Sequence, residues 1–271
     1  MGEKMLIEHE ILRFNQTKMD FEVLKDVIAV EAIINLYINN NLCVTFHCLP
    51  LQIKELIIGY LLTNGIIDDI RDILEIRFSE KNAYVKLSEE KFFNFFKKPT
   101  LISIFYSSES IPSHILEVIQ KIRFNKIIFS IETILKAVDI LNSKSSIFKV
   151  SGGTHAATLI DEECRVVAFA EDIGRHNAID KAIGEAAMKN LDFSKLLLAS
   201  TGRLSSEIVI KAVQMKIPIL VSLSAPTSMG VKIAETFGLT LIGFAREGRV
   251  NIYSSPDRIE EWNRRHTGSI I

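Results

Sequence analysis

Cysteine is scarce in this chain: Cys43, Cys48 and Cys164 are the only three among 271 residues, and no two stand at C-x-x-C spacing. That excludes a disulfide framework, a zinc knuckle and a dithiol redox pair. A charge surplus is lacking too, since 32 Lys and Arg face 33 Asp and Glu, for a net charge of −1 and a pI near 6.6. A dedicated nucleic-acid binder carries a large basic excess, so no nucleic-acid partner is expected, and any anion must be held by a local site. Long apolar runs are also missing. The most apolar window, LIIGYLLTNGII at 56–67, is interrupted by Asn64 and two glycines and falls short of the ~20 residues a membrane span needs. The N-terminal MGEKMLIEHEIL has no signal-peptide core, and Leu6 stands where a myristoylation signal has Ser or Thr. No membrane partner is expected, and a reducing, cytoplasmic location is.

What is present is apolar material, 48% of residues against 24% charged, enough for a sizeable core in one or two domains. Residues 26–48 read as a β-hairpin turning at Asn39-Asn40-Asn41. Pro50 then precedes a helical stripe, Gln52, Leu56, Ile57 and Tyr60, that stops at Asn64-Gly65. DILEIRF and NAYVKLS are strand-like. These features predict an N-terminal α+β domain over 1–110 and a C-terminal domain over 111–271. In the latter, SHILEVIQKI and a helix capped by Ser130 come first, followed by a hairpin of THAATLI and RVVAFA around Asp161-Glu162-Glu163-Cys164. Then KLLLAS, IPILVSLS and LTLIGFA alternate with the helical SSEIVIKAVQM and SMGVKIAETF, and VNIYS closes the series. Short apolar strands alternating with helices predict an α/β fold, a mostly parallel sheet with helices on both faces.

Ligands of such sheets bind beyond the carboxyl ends of the strands. The segments there are EDIGRHNA (171–178), Thr201-Gly202-Arg203, Ala225-Pro226-Thr227-Ser228 and Arg246-Glu247-Gly248-Arg249. Gly174, Gly202 and Gly248 permit close backbone approach, Thr201, Thr227 and Ser228 offer hydroxyls, and Arg175, Arg203, Arg246 and Arg249 offer forked donors. A convergent edge with four arginines suits a polyanionic small ligand such as a nucleotide or dinucleotide. Neither G-x-G-x-x-G nor G-x-x-x-x-G-K-[ST] occurs. His155, after two glycines, is either a general acid/base group of a nucleotide-processing enzyme or a satisfied core residue, and His176, at a helix start beside Asp172, is either such a group or a helix-capping or ligand-orienting donor. Ala157 stands where a zinc deaminase has its glutamate, so no metal is expected.

The strings GGTHAA (152–157), EDIGRHNAIDKAIG (171–184), TGRLSSEIVIKA (201–212), IPILVSLSAPTS (217–228) and LTLIGFAREGRVNIY (239–253) closely resemble the FdhD family of formate dehydrogenase accessory proteins. LPLQIKELIIGYLLTNGII (49–67) agrees more loosely, with Asn64 in place of the family's Glu. The resemblance implies a C-terminal domain related to the cytidine deaminase fold without its zinc, and a sulfur carrier acting on the molybdenum bis(guanine dinucleotide) cofactor. A cysteine desulfurase and formate dehydrogenase are the implied partners, and a homodimer is expected. A guanine nucleotide such as GDP is expected to bind as a surrogate. The family's cofactor segment carries over onto Phe244, Ala245, Arg246, Glu247, Gly248 and Arg249. Its C-G-x-C-G persulfide loop does not: residues 105–111 read Phe-Tyr-Ser-Ser-Glu-Ser-Ile, and serine cannot hold a sulfane sulfur. Sulfur carriage, if kept, would have to move to another thiol. Cys48 is expected as a buried structural residue and Cys164 as an exposed one in the hairpin turn, with Cys43 on the same strand as Cys48.

Overall fold

The chain is described here by a computed structural model over residues 4–97 and 113–267. It begins with a hairpin of β1 (Leu6–Asn15) and β2 (Asp20–Ala29) that stands as a separate two-stranded sheet. The expected 26–48 hairpin therefore divides, with residues 26–29 closing β2. The true turn joins β3 (Ala32–Ile38) to β4 (Asn41–Cys48). Asn39 and Asn40 take positive φ, 46° and 66°, as a two-residue hairpin turn requires and asparagine tolerates.

Helix α1 (Ile53–Thr63) follows, then β5 (Ile73–Ser79), β6 (Asn82–Leu87) and α2 (Glu89–Lys97). The four strands form a sheet of order β4-β3-β6-β5. Leu56, Ile57 and Leu61 of α1 bury against Leu36, Val85 and Leu87 of that sheet. The boundary expected near residue 110 lies outside the described residues.

Beyond it come α3 (Ser113–Arg123), α4 (Ile131–Lys144) and α5 (Ser146–Ser151). The Ser130 hydroxyl accepts the Thr133 N–H and caps α4 as expected. The strands β7 (His155–Ile160), β8 (Val166–Asp172), β9 (Leu197–Ser200), β10 (Ile219–Ser222), β11 (Thr240–Arg246) and β12 (Arg249–Ser254) make one sheet of order β8-β7-β9-β10-β11-β12. β9, β10 and β11 pair in parallel, while β7 runs antiparallel to both its neighbours and β12 antiparallel to β11. β8 through β11 thus point the same way, although β7 intervenes.

Helices α6 (Arg175–Met188), α7 (Ser206–Gln214) and α8 (Ser228–Phe237) cover one face, where Leu159, Leu198, Leu220 and Leu241 are buried. α4 covers the other, over Ile160, Leu197, Ile219 and Ile242. Strands buried on both faces carry unbroken apolar runs, which is why their positions were legible. A short α9 (Glu260–Thr267) ends the described chain. No helix among the described residues is long and apolar enough to cross a membrane.

The two sheets are joined through α1 and α6. A β-carbon on Gly59 would stand 1.8 Å from the Asp180 carbonyl oxygen, and one on Gly184 would stand 1.9 Å from that of Glu55. Each glycine therefore lets one helix backbone rest directly on the other. Two buried ion pairs flank this crossing: Asp172 with Lys181 at 2.6 Å and Asp180 with Lys211 at 2.7 Å.

Candidate anion-binding site

The shared direction of β8, β9, β10 and β11 brings the segments that follow them to one edge of the sheet. At the end of β8, the Asp172 carboxylate is fully buried and accepts hydrogen bonds from Gly174 N (2.8 Å), Asn177 Nδ2 (2.9 Å) and Leu49 N (3.0 Å). These fix the turn that starts α6. Gly174 occupies the N-cap and supplies no side-chain acceptor, so the first-turn N–H groups and the positive end of the helix dipole face the edge.

Arg175 is the first helical residue. Its aliphatic stem lies on Gly202, where a β-carbon would come within 2.7 Å of Arg175 Cβ. Its Nε is buried with no hydrogen-bond partner among the described residues. A buried guanidinium N–H left unpaired is costly, and an acceptor from a ligand would satisfy it.

After β9, the Thr201 hydroxyl accepts the Ala156 N–H (3.0 Å) and lies 3.1 Å from His155 Nδ1. Burial, reinforced by Arg175 and Arg203, holds the His155 imidazole below its ordinary pKa, so it is neutral at pH 7. Arg203 is exposed beside it. A cavity of about 430 Å³ opens here, lined by Phe148, Gly152, Gly153, Thr154, His155 and Thr201. The buried Glu171 carboxylate braces its wall, accepting from Thr154 Oγ1 (3.0 Å) and from the N–H groups of Ile147 and Phe148.

The other expected residues are placed differently. Thr227 caps α8, its hydroxyl accepting the Gly230 N–H, so that oxygen is already engaged. Arg246 and Arg249 face each other across a two-residue turn in which Glu247 (φ 54°) and Gly248 (φ 72°) are both left-handed. Glu247-Gly248 is thus the hinge of a hairpin. Both arginines are exposed, the Arg246 guanidinium lying 6.0 Å from the Phe244 ring, while the Ala245 side chain is wholly buried in the core. β11 lies two strand spacings from β9, about 10 Å. The four arginines therefore fall into two pairs along the edge.

His176 does not share the cavity of His155. It lines a second cavity, about 330 Å³, between β4 and helices α1, α6 and α7, together with Tyr60, Asn64, Asp180, Glu207 and Lys211. Its Nε2 is 3.4 Å from Glu207 Oε2. Burial first, then the positive charges of Lys211 and Arg175, lower its pKa to about 4. Between pH 6.5 and 4 the unfolded chain therefore binds a proton that the folded chain does not. This contribution to stability is fully present above pH 6.5 and is lost as the pH falls towards 4. His176→Gln is expected to flatten that part of the stability profile, as read from urea unfolding midpoints at pH 7, 5.5 and 4.5.

Sequence reasoning did not foresee that Asp172 and Glu171 are the braces of the site, nor the Asp180–Lys211 pair. The available signal was a pair of carboxylates ending an apolar strand, followed by a lysine at each of two helical positions. Cys48 is fully buried, as expected. Cys43 is an exposed residue, but partial burial of its thiol beside Tyr60 raises its pKa. Cys164, expected to be exposed, is half-buried and packs against the core on the α4 face of the sheet.

The model of the FdhD/NarQ family matches residues 29–260. This chain belongs to that family. The curated sulfur carrier protein FdhD of Wolinella succinogenes is 34% identical over 242 residues, covering 87% of this chain and 83% of the relative. The protein of the same name from Sulfolobus acidocaldarius is 34% identical over 239 residues, with 87% and 92% covered. That of Bacillus subtilis is 29% identical over 271 residues, with 96% and 100% covered. Among solved structures, a putative formate dehydrogenase accessory protein from Desulfotalea psychrophila superposes with a TM-score of 0.76 at 22% identity, covering 94% of this chain and all of that one. This chain shares the fold of that structure. Residues 105–111, where the C-G-x-C-G loop would fall, lie outside the described residues, and their sequence holds no cysteine.

Proposed function

We propose that this FdhD/NarQ protein supports formate dehydrogenase maturation by holding the molybdenum bis(guanine dinucleotide) cofactor. In this reading a cysteine desulfurase and formate dehydrogenase are its partners. The observation that carries the reading is the buried, unpaired Nε of Arg175 at the uncapped start of α6. The residues present fit the group. Arg175, Arg203 and the first-turn N–H groups of α6 would hold phosphates, the 430 Å³ cavity beside His155 has room for a ring, and Arg246 and Arg249 would meet a second anionic portion. When bound, the cofactor supplies the molybdenum chemistry of the client enzyme. The chain's own residues bind and orient it, and the neutral His155 offers a hydrogen bond without a charge.

GDP tests this reading. At 100 times its Kd it should add about 2.7 kcal/mol to stability, seen as a rise in the thermal midpoint. Arg175→Ala should weaken binding 10–100-fold, since a hydrogen bond to a charged group contributes about 1.5–3 kcal/mol. No shift with GDP, or an unchanged Kd in both Arg175→Ala and Arg203→Ala, would defeat the reading.

Holding cofactor is separable from carrying sulfur. The raised thiol pKa of Cys43 and the full burial of Cys48 both disfavour a persulfide. After incubation with a cysteine desulfurase and cysteine, the chain is expected to carry no cyanolysable sulfur. Sulfane sulfur that disappears in Cys43→Ser or Cys164→Ser would instead establish a relocated carrier.

A further inference from the structure

The second cavity, between β4 and helices α1, α6 and α7, is lined by polar side chains whose hydrogen bonds can be followed one by one. The Lys211 ammonium has three N–H groups and gives them to the two Asp180 oxygens and to Thr63 Oγ1. The Thr63 hydroxyl in turn donates to Asp180 Oδ1 at 2.8 Å. Asn64 Nδ2 donates to the Tyr60 carbonyl (2.8 Å), and Asn177 Nδ2 to the His47 carbonyl (2.8 Å) and the Asp172 carboxylate (2.9 Å). The Tyr60 hydroxyl is engaged with the Cys43 thiol. Both amides have thus committed their nitrogens, and their oxygens keep no partner among the described residues. The Glu207 carboxylate can only accept, so the His176 nitrogen 3.4 Å from it, Nε2, carries the proton and Nδ1 is left as an acceptor. The side-chain capacity that remains on this wall is one of acceptors: Asn64 Oδ1, Asn177 Oδ1, His176 Nδ1 and Glu207.

Charge points the same way. Asp180 and Lys211 cancel each other, His47 is paired with Glu31 at 2.7 Å, and Lys211 and Arg175 help to keep His176 uncharged. The charge left over is that of Glu207. Helix α1 also ends on this wall, at Thr63 and Asn64, and no basic residue stands in its last turn to offset the negative end of its dipole. We propose that this cavity is a binding site for an organic cation, a guanidinium or primary ammonium group on a short alkyl stem. The head group supplies the N–H donors that the amide oxygens and Glu207 lack, and Val44 and Ile210 supply apolar wall for the stem. The cation comes either from a free small molecule or from an arginine or lysine side chain of a protein, since the recognising chemistry is the same. The site is independent of the anion edge: it neither uses Arg203 and Thr201 nor requires a phosphate.

Calorimetric titration of the full-length chain with butylguanidinium tests this, with butylurea as its uncharged isostere. The guanidinium should bind with a Kd of about 1 mM or tighter, modest for a ligand of this size, and the urea at least tenfold more weakly. Glu207→Gln should raise the Kd at least about tenfold, as the loss of one charge-assisted hydrogen bond does. Asn64→Glu, which adds a carboxylate at the exposed end of α1, should lower it at least threefold. Glu162→Gln, an exposed carboxylate in the turn between β7 and β8, should leave it unchanged. Thermal midpoints of the three variants serve as the folding control. Butylamine in place of butylguanidinium separates the two head groups, the tighter of them naming the preferred cation. A capped Gly-Arg-Gly peptide that binds more tightly than butylguanidinium assigns the site to a protein side chain, and one that binds more weakly assigns it to a free small molecule. No heat with butylguanidinium or butylamine up to about 10 mM, equal binding of butylurea, a Kd indifferent to Glu207→Gln or to Asn64→Glu, or an equal loss in Glu162→Gln would overturn the proposal.

Discussion

Gly184→Val and Gly59→Val should each lower the unfolding free energy by at least about 3 kcal/mol, among the largest losses available to a single substitution. The atoms in the way are carbonyl oxygens of the opposing helix, 1.9 and 1.8 Å from the added β-carbon. Unlike a side chain, they cannot rotate aside. The two helices would have to separate, and both flanking ion pairs would be strained with them. Urea unfolding of the two variants measures the effect. Gly152→Ala makes a useful contrast: its φ of 68° is strained for alanine, but nothing lies within 4 Å of the added carbon, so the loss should be only about 1 kcal/mol.

Lys211→Met should be comparably severe, and its cost should depend on pH. The Lys211 ammonium lies 2.7 and 2.8 Å from the two Asp180 oxygens and 3.0 Å from Thr63 Oγ1. Its removal leaves a carboxylate in a fully buried site, at a cost of about 3–5 kcal/mol. Burial already raises the Asp180 pKa above the ordinary carboxylate value in spite of Lys211, and without the lysine it rises further. The folded chain then holds a proton that the unfolded chain has released, so stability falls as the pH rises through that interval. The variant should be relatively well tolerated near pH 5 and worst near pH 8, as urea titrations at the two pH values would record. A loss of equal size at both would show that Asp180 stays ionised without its partner.

The parts of the fold that were legible are those where burial imposes a pattern. β9, β10 and β11 are enclosed on both faces and carry continuous apolar residues, and α1 and α4 show their stripes because each buries one side. The β1–β2 arm buries neither face, so its alternation of charged and apolar residues pointed nowhere. Within the site, strand direction was enough to bring Thr201, Gly202, Arg203 and Arg175 together. It could not separate His176 from His155, because successive helical residues diverge by about 100°. Arg175 therefore lies against Gly202, and His176 lines the cavity beside β4. Nor could spacing distinguish a ligand loop from a turn at Arg246-Glu247-Gly248-Arg249, where two left-handed residues simply reverse the chain.

The Asp172 carboxylate binds the Leu49 amide with one oxygen and the start of α6 with the other, while Lys181 returns a hydrogen bond to the Leu49 carbonyl at 2.9 Å. The entrances to α1 and α6 are thus tied to one pair of charges. The carboxylate that fixes the first turn of α6 is the same one that anchors the chain leaving β4. Any shift of the first turn of α6 is therefore passed through a single carboxylate to the N-terminal sheet, and one ion pair sets the alignment of both halves.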